Sequence, residues 1–129
     1  MRSIHGRCLC GAVTLTVHDP QMLLECHCGR CRTWTGCAST PAVVVSGSNL
    51  EQTTGQELVS CYEEEGFSPR YFCARCGTSL WSGGPEPYYV NAGALEDPAL
   101  EVACHIQVAD KAAWHHIGGE APQYPQFPG

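Results

Sequence analysis

The sequence predicts an all-β domain, a sandwich or folded sheet of antiparallel strands with little helix. Three observations point there. Seven or eight short apolar or β-branched runs recur at roughly regular spacing between Gly- and Pro-rich turns. Helical periodicity is almost absent. Cysteines sit in tight groups beside the strand-like runs, at Cys8-Leu9-Cys10-Gly11, Cys26-His27-Cys28-Gly29-Arg30-Cys31 and Cys73-Ala74-Arg75-Cys76-Gly77.

Taken in order, residues 12–17 alternate Val13, Leu15 and Val17 with small or polar residues and predict a half-buried strand. His18-Asp19-Pro20 is a turn. Residues 22–25 read as a short strand leading into the thiols of Cys26, Cys28 and Cys31. Residues 33–36 read as a turn and residues 38–45 as a buried strand, broken by Ser46-Gly47-Ser48-Asn49. Further strands are expected over residues 57–62, 68–72, 78–81, 88–92 and 101–106. The acidic run Glu63-Glu64-Glu65-Gly66 reads as a solvated hairpin loop. Residues 110–115 read as one helical turn with Asp110 as its N-cap. The tail over residues 118–129 carries Pro122, Pro125 and Pro128, so it is expected to be irregular, extended and laid over the surface. No linker divides the chain, and residues 1–129 read as one domain.

Thirteen acidic residues against seven Lys and Arg give a formal net charge of −6. That balance argues against a general nucleic-acid or membrane-surface binder, which needs a basic face, and disfavours a zinc-ribbon nucleic-acid binder. No run approaches the length of a transmembrane helix. The segment from Met1 to Arg7 has no apolar core of the kind a signal peptide needs, so a cytoplasmic location is expected. Ten cysteines in 129 residues then read as metal ligands or redox centres, because a cytosolic chain keeps its thiols reduced. The residues carry no signal for an oligomeric state.

Cys8 with Cys10, and Cys73 with Cys76, are two pairs each followed by a glycine, Gly11 and Gly77. A glycine there permits the tight turn that aims backbone N–H groups at the sulfurs. Two such knuckles brought together make a tetrahedral structural zinc site that pins one strand to another. The weaker reading of these four is a redox dithiol or unrelated buried thiols. Cys26, Cys28 and Cys31 remain, with Gly29 free to adopt a positive φ where the chain bends back. The partition of the seven thiols is not fixed by spacing, but seven do not divide into two closed sets of four. Candidates for an eighth ligand are His27, Cys37, Cys61, Cys104, His105, His115 and His116. His27 points away if both its neighbours face the metal. Cys37 lies within reach of Cys31, whereas Cys61 and Cys104 fall in strand-like runs as small buried hydrophobes, and His115-His116 reads as surface or capping. An open three-thiolate site is the favoured reading, and open positions are where zinc does chemistry. Arg30 and Arg32 flank Cys31 and could hold a substrate carboxylate bidentately.

The order Gly6-x-Cys8-x-Cys10-Gly11, then Cys26-His27-Cys28-x-x-Cys31-Arg32 with Gly36, then Phe72-Cys73-x-x-Cys76-Gly77-Thr78, resembles the glutathione-dependent formaldehyde-activating enzyme (GFA) family, related to centromere protein V. His105-Ile106 leading to Lys111, Trp114 and Pro122 fits the same pattern, and Cys37 departs from the small residue usual after that glycine. The resemblance implies a β-tent-like fold of packed antiparallel sheets. It implies a structural zinc at Cys8, Cys10, Cys73 and Cys76 and a second, open zinc at Cys26, Cys28 and Cys31 near the catalytic centre. It implies a carbon–sulfur lyase whose partner is a small-molecule thiol such as glutathione, condensed with formaldehyde to S-hydroxymethylglutathione. The competing expectation is a non-catalytic zinc-binding or thiol-redox interaction module. The open site, reachable by solvent, is expected to be the more labile of the two.

Overall fold

The computed structural model describes residues 2–128. Met1 and Gly129, the two ends of the single domain expected from the sequence, lie outside the described residues. Among the described residues, ten strands form two sheets. The small sheet has the order β1-β2-β5, with β1 at Ser3–Arg7, β2 at Thr14–His18 and β5 at Leu50–Thr54. The large sheet has the order β10-β3-β4-β9-β8-β7-β6. Its strands are β3 at Met22–Cys26, β4 at Thr40–Val45, β6 at Val59–Tyr62, β7 at Arg70–Cys73, β8 at Ser79–Gly83, β9 at Tyr88–Asn91 and β10 at Val102–Ile106. Every pairing is antiparallel except that of β10 with β3, which is parallel. The all-β expectation therefore holds, with a mixed rather than purely antiparallel large sheet.

The two sheets face each other across one core. Val13, just before β2, and Leu15 and Val17 on it pack on Leu23, Val43, Val45, Leu80, Trp81 and Val90 of the large sheet. Burying each such side chain stabilises the fold by about 1.5–3 kcal/mol. Alternation along β3 and β4 sends Leu24, Ala42 and Val44 to the opposite face, where they join Cys104 and Ile106. Tyr124 of the C-terminal tail packs on that second cluster. The tail runs along β10: the Tyr124 N–H donates to the His105 carbonyl at 2.9 Å, and the His105 N–H donates to the Pro122 carbonyl at 2.8 Å. Residues 41–45 thus read as a continuous apolar run because both faces of β4 are covered.

Four local expectations are corrected. Residues 33–36 are not a free turn: a helix, α1, spans Gly29–Thr35 and ends at Gly36 in the left-handed conformation. Gly29 is its first residue rather than a positive-φ bend. Asp110 does not cap a turn of its own but ends a short 3₁₀ segment, Val108–Asp110. Its carboxylate Oδ2 instead accepts from the Gly29 N–H at 2.6 Å, capping α1 from across the fold. Cys61, expected as a buried hydrophobe, is exposed on β6, while Cys104 is buried as expected. Among the described residues, no helix is long and apolar enough to cross a membrane.

Candidate metal centres and active site

The thiols of Cys8, Cys10, Cys73 and Cys76 lie within 4.8 Å of one another. Their backing explains the convergence. β1 delivers Cys8, β2 leaves just after Gly11, β7 ends on Cys73 and β8 leaves after Gly77. Gly11 at φ 79° and Gly77 at φ 81° take the left-handed turns that close each knuckle. Cys8 and Cys73 are fully buried members of the main core, so the cluster is rooted between the small sheet and β7–β8. The Val13 N–H donates to Cys8 Sγ at 3.3 Å, and Cys76 Sγ lies 3.2 Å from Thr78 Oγ1. The Thr78 hydroxyl, then the Cys10 backbone, bring the Cys76 thiol down to about 5. Four sulfurs with N–H and hydroxyl donors around them fit a tetrahedral thiophilic cation.

Cys26, Cys28 and Cys31 form a separate cluster, again with sulfurs within 4.8 Å. Cys26 ends β3, Cys28 is the N-cap of α1, and Cys31 sits one turn into the helix. Cys28 Sγ accepts from the Cys31 N–H at 3.3 Å, the ordinary capping bond made by a sulfur. Hydrogen bonding with Cys26, then Cys31, pulls the Cys28 thiol down to about 2, and hydrogen bonding with Cys28, then Cys31, pushes Cys26 up. Of the three thiols, Cys28 is the one favoured as thiolate. Among the described residues no fourth Cys, His, Asp or Glu joins this group. Cys37 is outside it: exposed, with its thiol donating to the Thr35 carbonyl at 3.7 Å.

The remaining predicted site residues are placed as follows. Arg32 ties the loop together, Nε donating to the His27 carbonyl at 3.4 Å and Nη2 to the Asp110 carbonyl at 3.1 Å. Arg30 reaches away from the helix to Glu64 in the β6–β7 loop, Nη2 donating to Oε1 at 2.5 Å and Oε2 at 2.7 Å. His27 does point away from the sulfurs. It is fully buried, with Nε2 2.9 Å from His105 Nδ1 and its ring stacked on His115 at 5.9 Å. Burial, then the neighbouring His105, holds His27 below the ordinary histidine value. Its Nδ1 has no hydrogen-bond partner among the described residues.

Arg70 is the residue that sequence reasoning missed. Its Nη1 donates to Cys31 Sγ at 3.5 Å, and its guanidinium lies 5.0 Å from the centre of the Trp34 ring. Only its place three residues before Cys73 hinted that β7 would carry it toward a thiol, and the thiol it meets belongs to the other cluster. A cavity of about 1080 Å³ is lined by residues that include Trp34, Cys37, Ser39, His5, Thr16 and Asn91, but by none of the triad thiols.

The sequence profile of the glutathione-dependent formaldehyde-activating enzyme family matches residues 3–110. The chain belongs to that family. All seven clustered cysteines fall inside the matched span. A Schizosaccharomyces pombe protein named as an uncharacterized lyase is 34% identical over 97 residues, covering 71% of this chain and 68% of the relative. A crystal structure of a Rhodobacter sphaeroides protein is similar with a TM-score of 0.62 and 26% identity, covering 92% of this chain and 98% of that one. Both clusters of this family member could hold a metal ion.

Proposed function

We propose that this chain is a zinc-dependent carbon–sulfur lyase acting on adducts between a small thiol and a carbonyl compound. Glutathione and formaldehyde are the pair for which its family is named. The observation that carries the reading is the three-thiol cluster with a guanidinium against one sulfur and no fourth protein donor among the described residues. The lyase name of the S. pombe relative supports the same reaction class.

In the addition direction a sulfur–carbon bond forms, the carbonyl π bond opens, and the thiol proton ends on the new hydroxyl. In the cleavage direction the carbon–sulfur bond breaks and both reverse. Cys26, Cys28 and Cys31 would hold the zinc, and Cys8, Cys10, Cys73 and Cys76 the structural one. Zinc at the triad would supply a lowered thiol pKa or a polarised carbonyl oxygen. Three thiolates bring an excess of negative charge, and Arg70 offsets it where a further anion, thiolate or alkoxide, must be tolerated. Trp34 holds the guanidinium in place from one face. Arg32 fixes the loop through the two carbonyls it binds. Arg30 supplies a second positive charge on the same turn of chain, suited to a carboxylate of an anionic thiol.

The test is exchange of glutathione with formaldehyde followed by NMR at equilibrium. Acceleration by the protein, lost in Cys31→Ser, is the expected result. No acceleration, and no glutathione binding at millimolar concentration, would sink the reading. One metal per chain with triad thiols free to oxidise would favour the redox or interaction module instead.

A further inference from the structure

The β6–β7 loop grips the triad segment at two places. At its end, Arg70 donates to Cys31 Sγ at 3.5 Å. In its middle, Glu64 takes Arg30 Nη2 through both carboxylate oxygens, at 2.5 and 2.7 Å, while Phe67 lies under the same guanidinium at 3.6 Å. The Tyr62 hydroxyl donates to Glu64 Oε1 at 3.2 Å and steadies the acid from the strand side. So the one arginine between Cys28 and Cys31 is already bound to a carboxylate, and that carboxylate is the protein's own.

The geometry points to Glu64 as an internal competitor: its carboxylate holds Arg30 until the carboxylate of an anionic thiol substrate displaces it. This rests on the lyase reading for the identity of the substrate, but not for the existence of the latch. Three features make the pair exchangeable. Both Glu64 oxygens bind one nitrogen, Nη2, so the two-pronged face of the guanidinium is not used. An incoming carboxylate that meets two nitrogens in parallel binds better. The side chains are 41% and 37% exposed, so water screens the pair and a ligand can reach it. Once released, Glu64 rejoins Glu63 and Glu65 in a solvated acidic loop, a state that costs little. Phe67 stays under the guanidinium and keeps it oriented for the ligand. The consequence is selection by charge. Thiols carrying carboxylates displace Glu64, and neutral thiols of the same shape leave the loop latched.

The experiment compares wild type with Glu64→Gln, each titrated with glutathione and with glutathione diethyl ester, whose carboxylates are masked. Removing the competitor is expected to tighten glutathione binding roughly fivefold, the scale of an exposed ion pair, with the ester unchanged. The gain should vanish in an Arg30→Gln background. Equal glutathione affinity in wild type and Glu64→Gln, or equal tightening for the ester, overturns the proposal. A second arm does not depend on the lyase reading. Alkylation of the triad cysteines is mapped by mass spectrometry with iodoacetate, an anion, and with iodoacetamide, its neutral analogue. The iodoacetate-to-iodoacetamide rate ratio should rise several-fold in Glu64→Gln. If neither protein binds glutathione, the lyase reading fails and this ratio alone decides the latch: a rise supports it, and an unchanged ratio overturns it.

Discussion

The two thiol clusters use the same ligand chemistry and differ in what stands behind the sulfurs. In the four-cysteine cluster, Cys8 and Cys73 are part of the core, and the sulfurs meet a backbone N–H and a hydroxyl. Exposure does not separate them, since Cys10 is exposed and Cys76 half-buried in the first, as Cys26 and Cys28 are half-buried in the triad; what differs is that the triad loop is a helix start and a full positive charge from Arg70 touches Cys31. Neutral donors suit a closed site that only needs to persist. A guanidinium suits a site where another anion comes and goes. On the proposed reading, the first cluster, rooted in the core through Cys8 and Cys73, serves stability, and the second, beside a polar loop, serves chemistry.

The largest expected difference comes from cutting into each cluster in turn. Cys73→Ser cuts a core thiol out of the proposed staple and should cost several kcal/mol, enough to abolish a cooperative thermal transition. Cys31→Ser should leave a folded domain with a transition within a few degrees of wild type, yet remove about 100-fold or more of the exchange activity. Circular dichroism melts and the NMR exchange assay check both, and similar melting losses for the two variants would erase the distinction. Arg70 sharpens the contrast. Arg70→Met should lower kcat/KM roughly 10- to 100-fold, and Arg70→Lys should recover part of it because the positive charge returns without the fork. The melting temperature should hardly move in either variant.

The charge on Cys28 gives a pH test. A thiol held near 2 is already ionised throughout pH 5–8, so its alkylation by iodoacetamide in metal-stripped protein should be nearly flat with pH. An ordinary thiol with a pKa of about 8.5 gains reactivity about tenfold per pH unit over that range. A tenfold-per-unit rise at Cys28 would show that the negative charge is not settled there. The smallest effect is expected at the cap. Asp110→Ala removes the acceptor for the Gly29 N–H and should destabilise by about 1 kcal/mol, a shift of a few degrees.

The cysteine clusters were legible because each knuckle is local: two or three residues and a glycine set where the sulfurs point. The β4 strand was legible because both its faces are covered, which leaves an uninterrupted apolar run. Other elements were hidden for physical reasons. β5 carries Leu50-Glu51-Gln52-Thr53-Thr54, exposed beyond its first residue, so it has no inward pattern to read. β1 presents only Ile4 and Gly6 inward. α1 has no apolar stripe, since it buries Cys31 alone, and it stands on its caps from Cys28, Asp110 and Gly36. Arg70 and the Arg30–Glu64 pair depend on how a hairpin folds over a loop some forty residues away in sequence. No local spacing encodes that. Asp110 was seen as a cap, but for the wrong helix, because a capping side chain is recognised by its neighbours in sequence and acts on neighbours in space.

The most direct test of the division between staple and reactive site is cobalt substitution followed by glutathione titration, read in the visible and near-ultraviolet spectrum. Both clusters should load with thiolate-bound cobalt. Glutathione should then alter the bands of one of the two metals and leave the other unchanged, and Cys31→Ser should remove the responsive half. Bands that ignore glutathione, or that change equally at both metals, would contradict the account.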